Sequence, residues 1–301
     1  MCKDCGCSLT RHDHDHFGAH SHVDSHDHSH DHSHDHGHDH DHGHDHGHDH
    51  GHDHDHDHDH SHERGASHSP SHSHNELHTN PQLNDKKTLS VIHKILDKND
   101  VEAGHNRAHF EAHKITAFNI MSSPGSGKTT LLENLKEYTK LNYAVIEGDL
   151  ETSRDADRLI AKGITAYQIQ TGSACHLDAF MVHGALHHLP LDGLDICFVE
   201  NVGNLVCPAS YDVGTHKNIV LLSVPEGDDK IEKYPVMFRR ADVVFITKCD
   251  LLPYFDFKLD EARAQLKKLN PATQIIEVSI KDGDSMQAVA AWLKDNIRGT
   301  Q

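Results

Sequence analysis

Beyond residue 114, short apolar runs alternate with longer stretches in which apolar residues recur every three to four positions. The short runs are rich in Val and Ile and mostly continuous, which is typical of strands buried on both faces. Strands are predicted near Ile115–Met121, Tyr143–Glu147, Ile164–Gln170, Asp195–Glu200, Ile219–Val224, Val243–Thr247 and Gln274–Val278. Helices are predicted at Leu89–His113, Lys128–Lys140, Arg154–Lys162, Leu177–Leu189, Lys230–Arg239, Leu259–Leu269 and Ser285–Ile297. This alternation predicts an α/β fold with a mainly parallel central sheet and helices on both faces.

The first 85 residues have a different pattern. Of the 37 histidines in the chain, 28 lie between His12 and His78, where they alternate with Asp, Gly and Ser. Such a segment has almost no apolar side chains to bury, so we expect it to be disordered. We therefore predict three parts: an N-terminal Cys motif (1–10), a disordered His/Asp-rich metal-binding tail (11–85) and a P-loop GTPase domain (86–301).

Charge and hydropathy exclude several functions. The net charge is −19, and no basic patch stands out, so nucleic acid is not an expected partner. No apolar run approaches the roughly 20 residues of a membrane helix, and no signal peptide is evident, so we expect a cytoplasmic chain and no membrane association. Thiols stay reduced there, which favours metal ligation or simple burial for the seven cysteines.

A phosphate-binding loop follows the first predicted strand, at Ser122–Thr129, and a helix follows the loop. Ser-Ser-Pro-Gly-Ser-Gly-Lys-Thr matches G-x-x-x-x-G-K-[ST] except at its first residue, which is Ser122. Gly125 and Gly127 allow backbone N–H groups to converge on phosphate oxygens. Lys128 can reach the β- and γ-phosphates, and the Thr129 hydroxyl can bind Mg²⁺.

Two acidic residues end predicted strands on the side where ligands bind in such sheets. Asp149 follows the second strand and Glu200 ends the fourth. Either carboxylate can hold Mg²⁺, directly or through water, or position the attacking water; each can also be a solvated loop residue. We predict Lys128, Asp149 and Glu200 as the catalytic residues, with Thr129 and Asp149 as magnesium ligands. Gly203 is either a γ-phosphate contact or only a turn.

The base-recognition element is predicted at Thr247–Asp250, after the sixth strand. Thr-Lys-Cys-Asp resembles N-K-x-D, in which the Asp accepts hydrogen bonds from guanine that adenine cannot supply. Thr247 stands for Asn, which removes about 0.5–1.5 kcal/mol of hydrogen bonding. Ser279–Lys281 is a weaker candidate for the loop that closes on the base. The predicted nucleotide contacts are Gly125, Ser126, Gly127, Lys128, Thr129, Thr130, Gly203, Lys248 and Asp250.

Three groups of residues have metal-ligand chemistry. Cys2, Cys5 and Cys7 lie within six residues and can wrap one soft or borderline cation such as Ni²⁺. The His/Asp tract can chelate several Ni²⁺, Cu²⁺ or Zn²⁺ ions weakly, although a solubilising tail or an expression tag are alternatives. The third group is Cys175-His176 with Cys207, for which structural cysteines are an equally good interpretation from spacing alone. His183, His187 and His188 are interpreted as surface histidines.

Four segments resemble HypB, the family of nickel-incorporation GTPases of hydrogenase maturation, which belongs to the SIMIBI class of P-loop GTPases. They are Ser122–Leu132, Ala144–Asp149, Thr171–Ala179 and Glu200–Ala209, and the resemblance covers nearly all of residues 88–301 together with the cysteines at residues 2–7. The urease accessory GTPases are similar in fold but lack the Cys-Pro-Ala ending of the last segment. Departures from the family are Thr247, Ile280 in place of a small residue, and the His tract, which only some members have.

The resemblance implies a GTP-hydrolysing metallochaperone that binds nickel and delivers it to [NiFe]-hydrogenase. It implies a GTP-dependent homodimer, a HypA-like zinc- or nickel-binding accessory protein and the hydrogenase large subunit as partners. It also implies that Cys175, His176 and Cys207 form a nickel or zinc site at the dimer interface. The expected ligands are GTP, Mg²⁺, Ni²⁺ and Zn²⁺. The alternatives are a nickel storage or buffer protein and a urease-type nickel accessory GTPase.

Overall fold

The structure of the chain, a computed structural model, describes residues 86–149 and 153–297. The predicted Cys motif and His/Asp-rich tail lie outside these residues. Within them, seven strands form a single sheet in which all neighbouring strands are parallel, in the order β3-β2-β4-β1-β5-β6-β7. The strands are β1 (Thr116–Ser122), β2 (Tyr143–Asp149), β3 (Thr165–Gln170), β4 (Ile196–Glu200), β5 (Lys217–Ser223), β6 (Val243–Thr247) and β7 (Gln274–Val278). The predicted α/β class with a parallel sheet is confirmed.

Helices cover both faces of this sheet. The α-helices of the described residues are α1 (Lys86–Ala112), α2 (Lys128–Leu135), α3 (Arg154–Ala161), α4 (Ala179–Leu186), α5 (Lys230–Lys233), α6 (Pro235–Arg239), α7 (Leu259–Leu269) and α8 (Gly283–Asp295). Short 3₁₀ segments occur at Cys207–Ala209, Val224–Glu226 and Cys249–Tyr254. None of the described helices combines the length and apolarity that crossing a bilayer requires.

The two faces of the central strands bury different side chains, because successive residues of a strand point to opposite sides. Phe118 of β1 packs with Phe198 of β4 and Phe245 of β6 on one face, where Trp292 of α8 joins them. The ring centroids of Phe118 and Trp292 are 5.7 Å apart. On the opposite face, two further clusters lie under α5–α7 and under α1 and α4, and Met121 belongs to the first of these. Burial on both faces explains why the strands are apolar without alternation.

Two predicted helices differ from the structure. The predicted helix Lys230–Arg239 is two short helices that meet at Tyr234, because Pro235 lacks an N–H group and disfavours helical geometry in the residue before it. The predicted helix Lys128–Lys140 ends at Leu135. Beyond it the chain makes tighter turns, in which Glu137 N–H donates to Asn134 O at 3.1 Å.

The strand order places the phosphate loop at the middle strand of the sheet. β1 lies between β4 and β5, and the order of the strands reverses at this point. In open α/β sheets, ligands bind at such a point, beyond the carboxyl ends of the strands. The loops after β1, β2, β4, β6 and β7 all emerge at this same edge, because the strands are parallel. The predicted nucleotide residues of these loops are therefore brought together.

Candidate functional site

The loop between β1 and α2 has the backbone that a phosphate cradle needs. Gly125 and Gly127 adopt φ values of 75° and 97°, in the left-handed region that favours glycine. Lys128, the first residue of α2, is buried, and its Nζ donates to Ser122 Oγ at 3.0 Å. Ser122 itself keeps a strand backbone, so no glycine is required at the first position of the motif.

A cleft of about 460 Å³ opens above this loop. The predicted nucleotide and catalytic residues all line it. They are Gly125, Ser126, Gly127, Lys128, Thr129, Thr130, Asp149, Glu200, Gly203, Lys248 and Asp250. Ile280, Asp155 and Arg158 line it as well. A space of this size, with polar groups at its base, suits a small polar ligand such as a nucleotide.

Buried carboxyl groups stand beside the phosphate loop. Glu147 of β2 and Glu200 of β4 are register partners in adjacent strands, and their exposed fractions are 2% and 4%. Thr129 Oγ1 donates to Glu200 Oε1 at 2.8 Å. The second oxygen of each carboxyl group, Oε2, is buried and has no hydrogen-bond partner among the described residues. Mg²⁺ is a hard cation that prefers oxygen ligands. The Thr129 hydroxyl and the carboxylates of Asp149 and Glu200 supply such oxygens, so these three residues are candidate ligands.

Burial raises the pKa values of both carboxyl groups. The pKa of Glu147 rises to about 8, through desolvation and then the nearby charges of Glu200 and Asp149. The pKa of Glu200 rises to about 7, mainly through desolvation, while Lys128 and the bond from Thr129 act in the opposite direction. Carboxyl groups with pKa values near neutrality can accept or release protons at working pH, which is a property of catalytic acids and bases.

The loops after β6 and β7 hold Asp250 in one orientation. Ser279 Oγ donates to Asp250 Oδ1 at 2.9 Å, and Lys281 Nζ donates to Oδ2 at 2.7 Å. The bond from Lys281 holds the pKa of Asp250 below its usual range, so the group remains a hydrogen-bond acceptor. The Ser279–Lys281 segment predicted from the sequence thus contacts the predicted base-reading residue directly.

Thr247 makes a hydrogen bond that was not predicted from the sequence. Its Oγ1 donates to Ser126 O at 2.8 Å, and Lys248 Nζ donates to Gly125 O at 2.7 Å. Both bonds fasten the base-recognition element to the phosphate loop. The Thr247 hydroxyl thus reaches the loop carbonyl, and the expected loss of hydrogen bonding relative to Asn stays a prediction.

The predicted internal metal ligands converge. Cys175 Sγ lies 3.0 Å from Cys207 Sγ and 3.7 Å from His176 Nδ1, and one ligand atom from each of the three residues falls within 4.8 Å of the others. Cys175 is exposed, and His176 stacks on Tyr211 with ring centroids 3.9 Å apart. Two sulfur atoms and an imidazole in this geometry are a donor set for a borderline divalent ion such as Ni²⁺ or Zn²⁺. Burial lowers the pKa of His176, which favours the neutral, metal-binding form.

The metal ligands are joined to the nucleotide cleft by short hydrogen-bonded links. Asn201, the first residue after Glu200, accepts the N–H groups of both Val202 and Leu177 at 3.0 Å through its Oδ1. Asn204 Nδ2 donates to the carbonyl of Cys175 at 3.2 Å. The backbone N–H of Thr171 donates to Asp149 O at 2.9 Å, so the loop that carries Cys175 is also attached to the end of β2.

Gly203 lies where the β4 loop crosses the phosphate loop. A Cβ atom at this position would lie 2.9 Å from both Cα and N of Pro124, which are backbone atoms. Only glycine permits this approach without displacement of one loop. The residue thus fits a close contact between loops rather than a simple turn.

Sequence reasoning missed several residues that line the cleft or contact its lining. Glu147 was passed over in favour of Asp149, although its place inside a buried strand could have marked it. Glu226 was missed because its partners are distant in sequence: its Oε2 accepts Ser126 Oγ at 2.8 Å and the N–H of Ser223 at 2.9 Å. Arg158 donates to Thr130 Oγ1 at 3.2 Å. Cys2, Cys5 and Cys7 lie outside the described residues and stay a prediction.

Comparison with known proteins places this architecture in a family. Residues 116–277 match the model of the CobW/HypB/UreG nucleotide-binding domain. The hydrogenase/urease maturation factor HypB of Helicobacter pylori is 47% identical over 223 residues, which are 73% of this chain and 92% of that protein.

Two solved structures share the fold. The crystal structure of HypB from Helicobacter pylori in complex with nickel is 46% identical, with a TM-score of 0.65, over 68% of this chain and 99% of that one. The hydrogenase maturation factor HypB from Archaeoglobus fulgidus is 35% identical, with a TM-score of 0.63, over 67% of this chain and 100% of that one.

Proposed function

Because the chain belongs to the HypB family of maturation factors, within the wider CobW/HypB/UreG group of nucleotide-binding proteins, we propose that it is a GTP-hydrolysing nickel metallochaperone. It binds nickel and delivers it during the maturation of a nickel enzyme, with [NiFe]-hydrogenase as the first client. We place GTP in the cleft above the phosphate loop and nickel, as cargo, at Cys175, His176 and Cys207.

The nucleotide preference rests on Asp250. Its carboxylate, held by Ser279 and Lys281, can accept hydrogen bonds from guanine N1–H and N2–H₂. Adenine lacks both donors and cannot form these hydrogen bonds, which are worth about 1.5–3 kcal/mol each to a charged acceptor. The stem of Lys248 extends over the phosphate loop towards Gly125 and can support the base.

Hydrolysis is assigned to groups around the phosphates. Lys128 and the backbone N–H groups of the loop hold the β- and γ-phosphates, and Lys128 offsets negative charge as the bond to the leaving group breaks. Mg²⁺, when bound by Thr129, Asp149 and Glu200, neutralises phosphate charge. Asp149 or Glu200 orients the water whose oxygen attacks the γ-phosphorus. GDP and inorganic phosphate are the products.

Delivery is assigned to the shared loop. The observation that carries this proposal is that one segment, residues 200–207, begins at a carboxyl group of the nucleotide cleft and ends at a thiol of the metal-ligand set. Gly203, between them, contacts the phosphate loop. A γ-phosphate that repositions this segment changes the distance between Cys207 and Cys175. The nucleotide acts only through such a difference in the metal affinities of the two states.

We propose that GTP also favours a homodimer. Cys175 is exposed, His176 and Cys207 are half-buried, and three protein ligands leave a further coordination position open. A twofold axis near this surface would bring two such sets together. A HypA-like accessory protein and the hydrogenase large subunit are the proposed donor or acceptor partners.

Nickel titration in three nucleotide states tests the proposal. The full chain is titrated without nucleotide, with GDP and with a non-hydrolysable GTP analogue, beside a Cys175→Ser/Cys207→Ser variant that lacks both thiols of the internal site. The difference between the two proteins reports the internal site, and we expect it to change at least about fivefold with the nucleotide, as allosteric couplings commonly do. Equal affinities in all three states would refute delivery driven by this site.

Lys128→Ala tests the assignment of the phosphate loop. We expect it to abolish GTP turnover while nickel binding by Cys2, Cys5 and Cys7 persists, because those ligands are remote in sequence from the loop. Turnover is measured as released phosphate. An active variant would reject Lys128 as a catalytic residue.

The composition favours a second, storage role for the tail. With 28 histidines between His12 and His78, it offers many imidazole pairs for weak chelation. A urease-type client is also compatible with the name of the Helicobacter pylori relative, which covers both enzymes.

A further inference from the structure

Five histidines meet where α1 packs against α4. His105 and His109 are four residues apart on α1, and His113 follows directly after its end. His183 lies on α4, and His187, four residues on, is the residue that caps the carboxyl end of that helix. Residues at this spacing share one face of a helix. We refer to these five residues as the α1–α4 histidine cluster. It is separate from the Cys175 ligand set, and the sequence argument interpreted its α4 members as ordinary surface residues.

Two imidazole nitrogens of the cluster already stand at a ligand–ligand distance. His183 Nε2 and His187 Nε2 are 3.2 Å apart. Two nitrogens bound at about 2.1 Å to one ion lie about 3.0–3.4 Å apart when the angle at the ion is between 90° and 109°. Two histidines at this helical spacing are also a recurrent chelating pair for divalent zinc.

The other face of His183 is held by oxygen atoms. Its Nδ1 lies 3.0 Å from Asn106 Oδ1 and 3.2 Å from Glu102 Oε1. Both oxygens are acceptors, so Nδ1 carries the proton and Nε2 presents its lone pair towards His187. A carboxylate behind the outer nitrogen is the usual way in which proteins fix the tautomer and orientation of a metal-binding histidine.

Glu102 and Asn106 are themselves fixed by the helix packing. Asn106 is fully buried, and its Nδ2 donates to Ala179 O, in the first turn of α4, at 2.8 Å. The second carboxylate oxygen of Glu102 lies 3.1 Å from His105 Nδ1. His183 is therefore oriented by groups that the junction of the two helices holds in place.

A third imidazole lies beside the pair. His109 is 5% exposed, its Nδ1 has no hydrogen-bond partner among the described residues, and its ring centroid is 5.9 Å from that of His187. Burial, and then His113, His187 and His183, lower the pKa of His109, which favours its neutral form. Neutral imidazole is the form that binds metal.

We propose that His183 and His187 form a second binding site in the folded domain for a divalent ion of the nickel, copper and zinc class, with Glu102 orienting His183 and His109 available as a third imidazole. The ligand types select borderline transition metals over Mg²⁺ or Ca²⁺, which prefer oxygen. The inference goes beyond the proposed GTPase function and does not require nucleotide. Nickel is the ion that the proposed function would bring to this surface.

His188 provides a matched control. It is adjacent to His187 and equally exposed, but its ring stacks on Tyr167, with centroids 4.9 Å apart and planes inclined by 5°. The structure shows no ring contact or side-chain hydrogen bond between His188 and either histidine of the His183–His187 pair. A metal effect confined to the pair must therefore be present at His187 and absent at His188.

Chemical footprinting of the full chain tests the site. Diethyl pyrocarbonate modifies free imidazole nitrogens, and the modified peptides are quantified individually by mass spectrometry with free Ni²⁺ or Zn²⁺ set by dialysis. Dialysis keeps the free ion constant, so the N-terminal histidines cannot deplete it. We expect saturating metal to slow modification of His183 and His187 at least about tenfold and to leave His188 unchanged. Equal rates with and without metal at His187 would overturn the proposal.

Thermal unfolding gives an independent readout. In a Cys175→Ser/Cys207→Ser background, an ion bound at the cluster should raise Tm, because it binds the folded state preferentially. We expect His187→Gln to remove this increment and His188→Gln to retain it. His187 is exposed, so its variant should fold. A full increment in His187→Gln would exclude the pair as the site, whether or not GTP hydrolysis is confirmed.

Discussion

The burial of Glu147 and Glu200 beside each other is electrostatically unfavourable. Both side chains are buried next to each other in adjacent strands, and each leaves one oxygen without a partner among the described residues. A lysine, Lys128, stands nearby but does not cancel the effect of burial on their pKa values. This unfavourable arrangement makes stability depend on pH.

In protein free of magnesium and nucleotide, we expect the free energy of unfolding to fall as pH rises from about 5 to 8. The pKa of Glu147 is 4.5 ordinarily and about 8 in the fold, so between these values the folded state holds a proton that the unfolded state has released. Raising the pH therefore favours unfolding, by about 1.4 kcal/mol for each unit of pKa difference.

The variant Glu147→Gln should lose less stability over this range than the wild type, because the amide does not ionise. Urea unfolding at pH 5.5, 7 and 8.5 measures the difference. Glu137→Gln, at an exposed glutamate of the same domain, serves as the control. Parallel pH dependence in wild type and Glu147→Gln would contradict the assigned protonation.

Asp250 makes a prediction about base choice. In Asp250→Asn, the amide supplies a donor where guanine requires an acceptor, so we expect GTP affinity to fall at least tenfold, or about 1.4 kcal/mol. Xanthosine triphosphate carries a carbonyl in place of the 2-amino group and should bind the variant better than GTP. Competition binding with GTP, ATP and xanthosine triphosphate measures the order. Unchanged GTP preference would show that Asp250 does not face the base.

Among the connecting elements, the loop after β4 leaves no room for a side chain at Gly203. Gly203→Ala should weaken GTP binding about tenfold and reduce stability by about 1–3 kcal/mol, because the new Cβ meets backbone atoms of Pro124 and forces the loops apart. Gly104→Ala, in α1 with open space around its Cβ position, should stabilise the helix by about 0.5–1 kcal/mol. Urea unfolding and binding of a fluorescent GTP analogue compare the two. A harmless Gly203→Ala would mean that the loops need not touch.

The elements were predictable because each carries a strong local signal. The strands are continuous Val- and Ile-rich runs, and β6 and β7 have the predicted bounds. The phosphate loop was identifiable because the chemistry requires glycine and lysine at fixed spacing. The helix break at Tyr234 has a local signal in Pro235, which the periodicity argument overlooked.

What sequence could not supply was the pairing of distant segments. Glu226 reaches Ser126 across 100 residues, and nothing in either local pattern indicates the contact. His183 meets Glu102 only because α1 packs on α4, so its partner cannot be read from α4 alone. Whether Cys175 and Cys207 converge depends on the strand order β3-β2-β4, because Cys175 follows β3 and Cys207 follows β4, and spacing left that question open.

In the whole chain, residues with metal-ligand chemistry occur both among residues 2–78 and in the part that the structure describes. The histidines of residues 12–78 far outnumber the remaining nine. If the tail stores nickel, deletion of residues 12–78 should leave enzyme maturation intact in nickel-replete cells while nickel tolerance falls. Hydrogenase activity and growth at increasing nickel measure the two outcomes. Failure of maturation even with excess nickel would instead make the tail part of delivery.

Asn201 has one further consequence. A single side-chain oxygen accepts N–H groups from both the β4 loop and the Cys175 loop, so neither loop can shift without disturbing the other. Thermodynamic linkage is reciprocal: if the nucleotide alters the affinity for nickel, nickel must alter the affinity for the nucleotide by the same factor. The fraction of the protein that is loaded with GTP would then depend on the nickel concentration of the cell. The protein would thereby sense the supply of the ion that it carries.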